Sequence, residues 1–137
     1  MTTQANDTTG FKRAEIQVWA KLGANGEWGA VPAPAMVKGR NAVHRNLIWI
    51  GNGKSKPGFG GSWAVSHVNS GNKYLVFTNL NAAKAFASRV DSLGIPGLDG
   101  LKIGGKPKWT KKQMQELRVK VRTLAAQCTY EYGGTFS

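Results

Sequence analysis

Acidic side chains are scarce in this chain: seven Asp and Glu stand against nineteen Lys and Arg in 137 residues, a formal charge of +12. Between Trp28 and Arg89 there are eight basic residues and no acid, and between Gly100 and Arg122 there are eight more with Glu116 alone. The seven carboxylates (Asp7, Glu15, Glu27, Asp91, Asp99, Glu116 and Glu131) are widely dispersed, which leaves little from which to build a paired acid–base site. Cysteine is nearly absent. Cys128 by itself excludes an internal disulfide and a Cys-cluster zinc site. No apolar run approaches the roughly 18 residues that cross a bilayer. The opening MTTQANDTTG has neither the basic start nor the apolar stretch of a secretion signal. These absences set the expectation of an intracellular, cytoplasmic protein.

One stretch imitates a nucleotide site. Gly53-Lys54-Ser55 matches the end of the phosphate-loop pattern G-x-x-x-x-G-K-[ST], but the first glycine would have to stand at position 48, which is Ile48. Such a loop must also run straight into a helix, whose N-terminus faces the phosphates. Lys56-Pro57-Gly58-Phe59-Gly60-Gly61 follows instead, a sequence that does not propagate a helix. No carboxylate lies nearby to hold magnesium. The pattern is not a nucleotide loop.

Periodicity gives the fold. Phe11–Leu22 alternates, with Ala14, Ile16, Val18, Ala20 and Leu22 on one face and Arg13, Glu15, Gln17, Trp19 and Lys21 on the other, the pattern of a half-buried strand. Asn25-Gly26 predicts a hairpin turn and a return strand over Glu27–Val31. PAPAMVKGRN reads as a loop, because Pro32 and Pro34 bring no donors to a ladder. Further strands are expected over Val43–Ile50, Ser62–Val68 and Lys73–Thr78, the last two joined by NSGN, with the glycine-rich stretch as a connection. The period then changes. Asn79 or Asn81 caps a helix running to Leu93, stopped by Gly94 and Pro96. Thr110 with Gln113 forms a capping-box signature for a second helix over Lys111–Gln127, whose buried stripe is Met114, Leu117, Val121, Leu124 and Cys128. The expectation is an α+β fold: a largely antiparallel sheet of about five strands in the N-terminal half and two C-terminal helices packed on one face. Residues 1–10 are expected to be a disordered polar arm on a single domain spanning 11–137.

An acid-poor chain of this charge suits a polyanion. Three groups of residues carry that reading. Trp19 lies on the polar strand face beside Lys21, with Arg13 further along, as a base-stacking platform requires; if a helix covers that face, Trp19 is core instead. Lys54, Lys56 and Phe59 form a basic arm with an aromatic tip. Trp109 lies among Lys106, Lys108, Lys111 and Lys112 just ahead of the second helix, where it could equally be a hydrophobic staple. His44 and His67 could supply an acid–base pair, but two histidines without a nearby acid make a weak metal site. The expectation is therefore a non-catalytic nucleic-acid-binding protein of low sequence specificity, for DNA or RNA, with single strands slightly favoured and no cofactor or metal. The alternatives are a small basic module docking on an acidic partner protein, and a metal-independent nuclease.

Overall fold

The computed structural model describes residues 7–22, 27–50 and 56–137, and for positions 48–50, 56, 57 and 59 the backbone alone. Five strands, β1 (Lys12–Lys21), β2 (Trp28–Lys38), β3 (Asn41–Ile50), β4 (Lys56–His67) and β5 (Lys73–Phe77), form one antiparallel sheet in the order of the chain. Two helices follow, α1 (Leu80–Arg89), extended by a 3₁₀ turn over Val90–Leu93, and α2 (Lys111–Tyr132). The α+β architecture read from periodicity is the one observed.

Two strands begin or end far from where the sequence places them, each for a reason. β2 runs through Pro32 and Pro34, which pair with Gln17 and Glu15 of β1. Residues two apart present their donors to the same strand edge. β3 pairs with β2 only over Ala35–Lys38, so among the described residues the other edge of β2 at Pro32 and Pro34 has no strand to supply. A proline is tolerated on such an edge. β4 likewise starts at Lys56 rather than Ser62, pairing Lys56–Phe59 with Leu47–Ile50 across a register shift between Arg45 and Leu47. The connection expected through Gly61 is therefore strand from Lys56 onward. Lys54 lies outside the described residues, as do the side chains of Lys56 and Phe59.

The sheet has a core on each face. Val43, Val65 and Phe77 meet α1 and α2 through Phe86, Val90, Leu124 and Cys128. Four alanines of α1 (Ala82, Ala83, Ala85 and Ala87) are buried, and these small side chains let the helix lie close to the strands. Its N-cap is Asn79, whose side chain accepts from the Ala82 amide at 3.0 Å. α2 opens on the expected capping box, Thr110 with Gln113, and runs five residues past Gln127 to Tyr132. Of its expected stripe, Leu117, Leu124 and Cys128 are buried and Val121 half-buried, while Met114 is exposed. On the other face, Ile16, Val18, Ala33, Ala35 and Ala42 make a second core inside the curl of the sheet itself.

Among the described residues one backbone hydrogen bond closes that curl. The Trp19 amide at the outer edge of β1 donates to the Gly71 carbonyl in the β4–β5 turn at 2.9 Å. A Cβ on Gly71 would lie 2.6 Å from the Gln17 carbonyl oxygen and 2.7 Å from the Trp19 nitrogen, and its φ is +73°. Only glycine satisfies both conditions. The free edge of β5 is also covered: Val76 and Ser137 exchange backbone hydrogen bonds at 2.9 and 3.0 Å, which removes an exposed strand edge.

The polar segment at the N-terminus is anchored where it is described. Asp7 is buried, bonds Arg89 at 2.5 Å, and accepts from Ser88 through its carbonyl at 2.7 Å. Arg89 also pairs with Glu131 at 2.8 Å, and Arg40 with Asp99 and Asp91 at 2.6 and 3.3 Å. Four of the seven acids are thus engaged by two arginines, which leaves little negative charge to offset the remaining cations. Gly71→Ala is expected to destabilise the fold by about 2–4 kcal/mol, from the positive φ and the clash with β1 together. Urea denaturation measures it; an unchanged midpoint would mean the curl does not depend on this approach.

Candidate nucleic-acid interface

The loop over 94–109, which links the 3₁₀ turn to α2, folds across the open end of the curled sheet. Gly104 donates its amide to the Ser70 carbonyl at 2.9 Å and lies flat on the Trp19 indole, where a Cβ would come within 2.9 Å of the ring. Its φ of +77° also favours glycine. The Asn72 side-chain amide donates to the Gly105 carbonyl at 2.6 Å. Further along, Trp109 Nε1 donates to the Pro96 carbonyl at 2.8 Å, tying the end of the loop to its beginning. The space enclosed between loop and sheet is a cavity of about 640 Å³.

The cavity gathers residues from distant parts of the sequence. The end of β1 supplies Trp19 and Lys21, and the hairpin register sets Trp28 of β2 directly opposite Lys21. The loop contributes Lys106 and Trp109, with Lys106 Nζ 5.8 Å from the centre of the Trp28 ring. That is within the range of a cation–π contact. Lys73 enters from β5 and Asn46 from β3, Lys73 Nζ lying 3.5 Å from Asn46 Oδ1. Lys21, Lys73 and Lys106 are exposed, Trp19 and Trp109 half-buried, and Trp28 is 54% exposed. No carboxylate lines the cavity among the described residues.

Four of the sequence-derived candidates therefore meet at one place: Trp19, Lys21, Lys106 and Trp109. The form differs from the open platform expected of Trp19. Its indole is neither core nor a free sheet surface but one wall of a cleft, because the glycine at 104 lets the loop backbone rest on one side of the ring. Trp109 and Met114 occupy the two staple positions around the Thr110 cap, and both line the cavity. Lys108, Lys111 and Lys112 are exposed at the start of α2 but are not in the lining. Arg13 pairs with Met36 near the far end of β1, six residues from Trp19 and so about 20 Å away. It does not join the site.

Trp28, Lys73, Tyr74 and Asn72 are cavity residues that the sequence reading passed over. For Trp28 the turn signal misleads: counting outward from Asn25-Gly26 pairs it with Gly23, whereas the register observed sets it opposite Lys21. The others depend on the closure at Gly71, which no local pattern announces.

Both histidines line the cavity, and burial disfavours the charged form of each. His44 is buried; its Nδ1 donates to the Arg45 carbonyl at 2.8 Å, leaving Nε2 to accept from Ser66 Oγ at 2.8 Å. At His67 the pattern reverses. His67 Nδ1 accepts from the Ser70 backbone amide at 3.4 Å, so Ser70 Oγ, itself accepting from the Asn72 amide at 3.2 Å, donates to it at 2.9 Å, and the ring proton sits on Nε2. His67 Nε2 is the buried side-chain polar atom without a partner among the described residues. The two rings are each tied to their own serine, and no hydrogen bond joins them into an acid–base pair. Among the described residues no three His, Cys, Asp or Glu side chains cluster as metal ligands. Cys128 lies away from the cavity in the helix–sheet core, where burial pushes its thiol up to about 11.

No family model matches this chain, and comparison with curated proteins and with solved structures finds no similar one. Among the described residues no helix is long and apolar enough to cross a membrane.

Burial lowers the pKa of both histidines below the ordinary 6.5, and the nearby Arg40 charge lowers His67 further. The unfolded chain then binds more protons than the folded one as pH falls below about 6.5, so this contribution to stability is complete above that pH and is lost below it. Thermal melts are expected to show a lower transition at about pH 5.5 than at about pH 7.5. His44→Gln should flatten part of that difference. An identical pH response in the variant would exclude His44 as its source.

Proposed function

We propose that this protein is a non-catalytic nucleic-acid-binding protein of low sequence specificity that favours single strands, and that the cleft beneath the 94–109 loop is its binding site. The observation that carries the proposal is the convergence of Trp19, Trp28 and Trp109 with Lys21, Lys73 and Lys106 on one carboxylate-free cleft. Indole faces accept any base, and lysines accept phosphate without reading sequence. Neighbouring exposed cations, Lys108, Lys111 and Lys112 at the start of α2 and Arg118 and Lys120 along it, extend the positive surface beyond the cleft. The lysines at the α2 N-terminus oppose the helix dipole, a cost of a few tenths of a kcal/mol that a bound phosphate would relieve. DNA and RNA satisfy this chemistry equally.

Binding to single-stranded oligonucleotides of about 20–30 nucleotides is expected at low salt, with log K falling against log salt at a slope of roughly −3 to −5 for about four to six phosphates neutralised. Replacing Lys21 and Lys106 together by Ala should reduce that slope by between about one and two and weaken all sequences alike. Trp28→Ala, at an exposed position, should cost about 1–3 kcal/mol of affinity with the fold unchanged by circular dichroism. No binding to any such DNA or RNA would end the proposal.

A further inference from the structure

The cleft is deeper than a stacking surface requires. A strand that only lies across exposed aromatics needs a groove, and the volume here, about 640 Å³, is instead that of a small-molecule pocket. Its walls are graded. Trp28 and the three lysines stand at exposed positions, Trp19, Trp109 and Tyr74 are half-buried, and His44, Ser66, Ser70 and His67 are buried. Charge and polarity are therefore arranged by depth, with cations toward the solvent and neutral hydrogen-bonding groups inside.

The inner polar groups have unused capacity. His67 Nε2–H has no partner among the described residues, and the Asn72 side chain, which donates to Gly105, carries an amide oxygen that can accept. A buried donor without a partner costs free energy in the empty protein. A planar heteroaromatic ligand with ring nitrogens and carbonyls, carrying an anion on its outer side, matches this order of groups. A nucleotide has that chemistry.

Resting on the nucleic-acid reading above, we propose that the cleft receives one unpaired base of a bound strand. The base stands against Trp19 and Trp109, its polar edge turns toward His67 and Asn72, and its flanking phosphates remain at Lys21, Lys73 and Lys106. A base paired in a duplex cannot enter without being extruded, so insertion by itself selects single strands or unpaired positions. The inner groups offer both a donor and an acceptor, and every base presents both, so insertion does not impose a sequence.

The test compares strands of equal charge. The whole chain is titrated with a single strand of about 15 nucleotides carrying 2-aminopurine at its centre, and with the same strand in which all nucleotides are abasic. Saturable change of 2-aminopurine emission is expected, with the abasic strand bound at least about tenfold more weakly and with the same salt slope. Ala20→Trp, which fills the cavity from the end of β1 without removing a lysine or an indole, should bring the two affinities together, and circular dichroism checks that it folds. Equal affinity of wild-type protein for intact and abasic strands would overturn base insertion while leaving phosphate binding in place. Failure to bind either strand would overturn the nucleic-acid reading itself. Displacement of the strand by an equal concentration of a free nucleoside monophosphate, or of an acidic peptide containing aromatic residues, would also overturn the proposal and assign the cleft to that ligand.

Discussion

The approach of the Gly71 backbone to β1 is the contact on which the rest of the molecule depends. A five-stranded antiparallel meander has two free edges and, without curvature, two open faces. Here the turn between β4 and β5 reaches the first strand, and the sheet becomes a trough with an interior of its own. The small residues on the inner face, Ala33, Ala35 and Ala42, suit a space that narrows as the strands bend together. The cavity lies at the open end of that trough. It is a product of curvature and is roofed by a loop with glycine at the point where it rests on Trp19.

The two faces of the sheet consequently do different things. The helix-covered face holds the large buried side chains, with Phe77 and Phe86 5.3 Å apart between their ring centres, and carries the stability of the domain. The curled face ends in the cavity and contributes the polar interior groups. Arg89 binds Asp7 and Glu131 against the helices, and Arg40 joins Asp91 of the 3₁₀ turn to Asp99 of the loop. None of these four carboxylates is in the cavity lining.

The order and type of the elements were legible because the period changes once, from two to 3.6, near Asn79. Caps at Asn79 and Thr110 and the breaker at Gly94 stand where side-chain chemistry places them. The rule that prolines interrupt a ladder misled at Pro32 and Pro34, because it holds for strands paired on both edges and β2 at that point is paired on one. The cleft was half legible. Trp19, Lys21, Lys106 and Trp109 stand out as aromatics among cations, and composition alone marks them. Lys73, Asn72 and the histidines join them only through a glycine contact between residues more than fifty positions apart, and no local pattern encodes it. Arg13 shows the converse: it shares a strand face with Trp19, yet sharing a face says nothing of distance along it.

The Trp19, Trp28 and Trp109 indoles are three of the five in the chain. Trp63 lies elsewhere, beneath the Arg45 guanidinium at 3.9 Å. The intrinsic ultraviolet emission of the protein is therefore weighted toward the cleft, and the indoles there differ in how much solvent they see. Anything that enters between them changes both their polarity and their quenching. The molecule carries its own optical reporter, and occupancy of the site can be followed without attaching a dye.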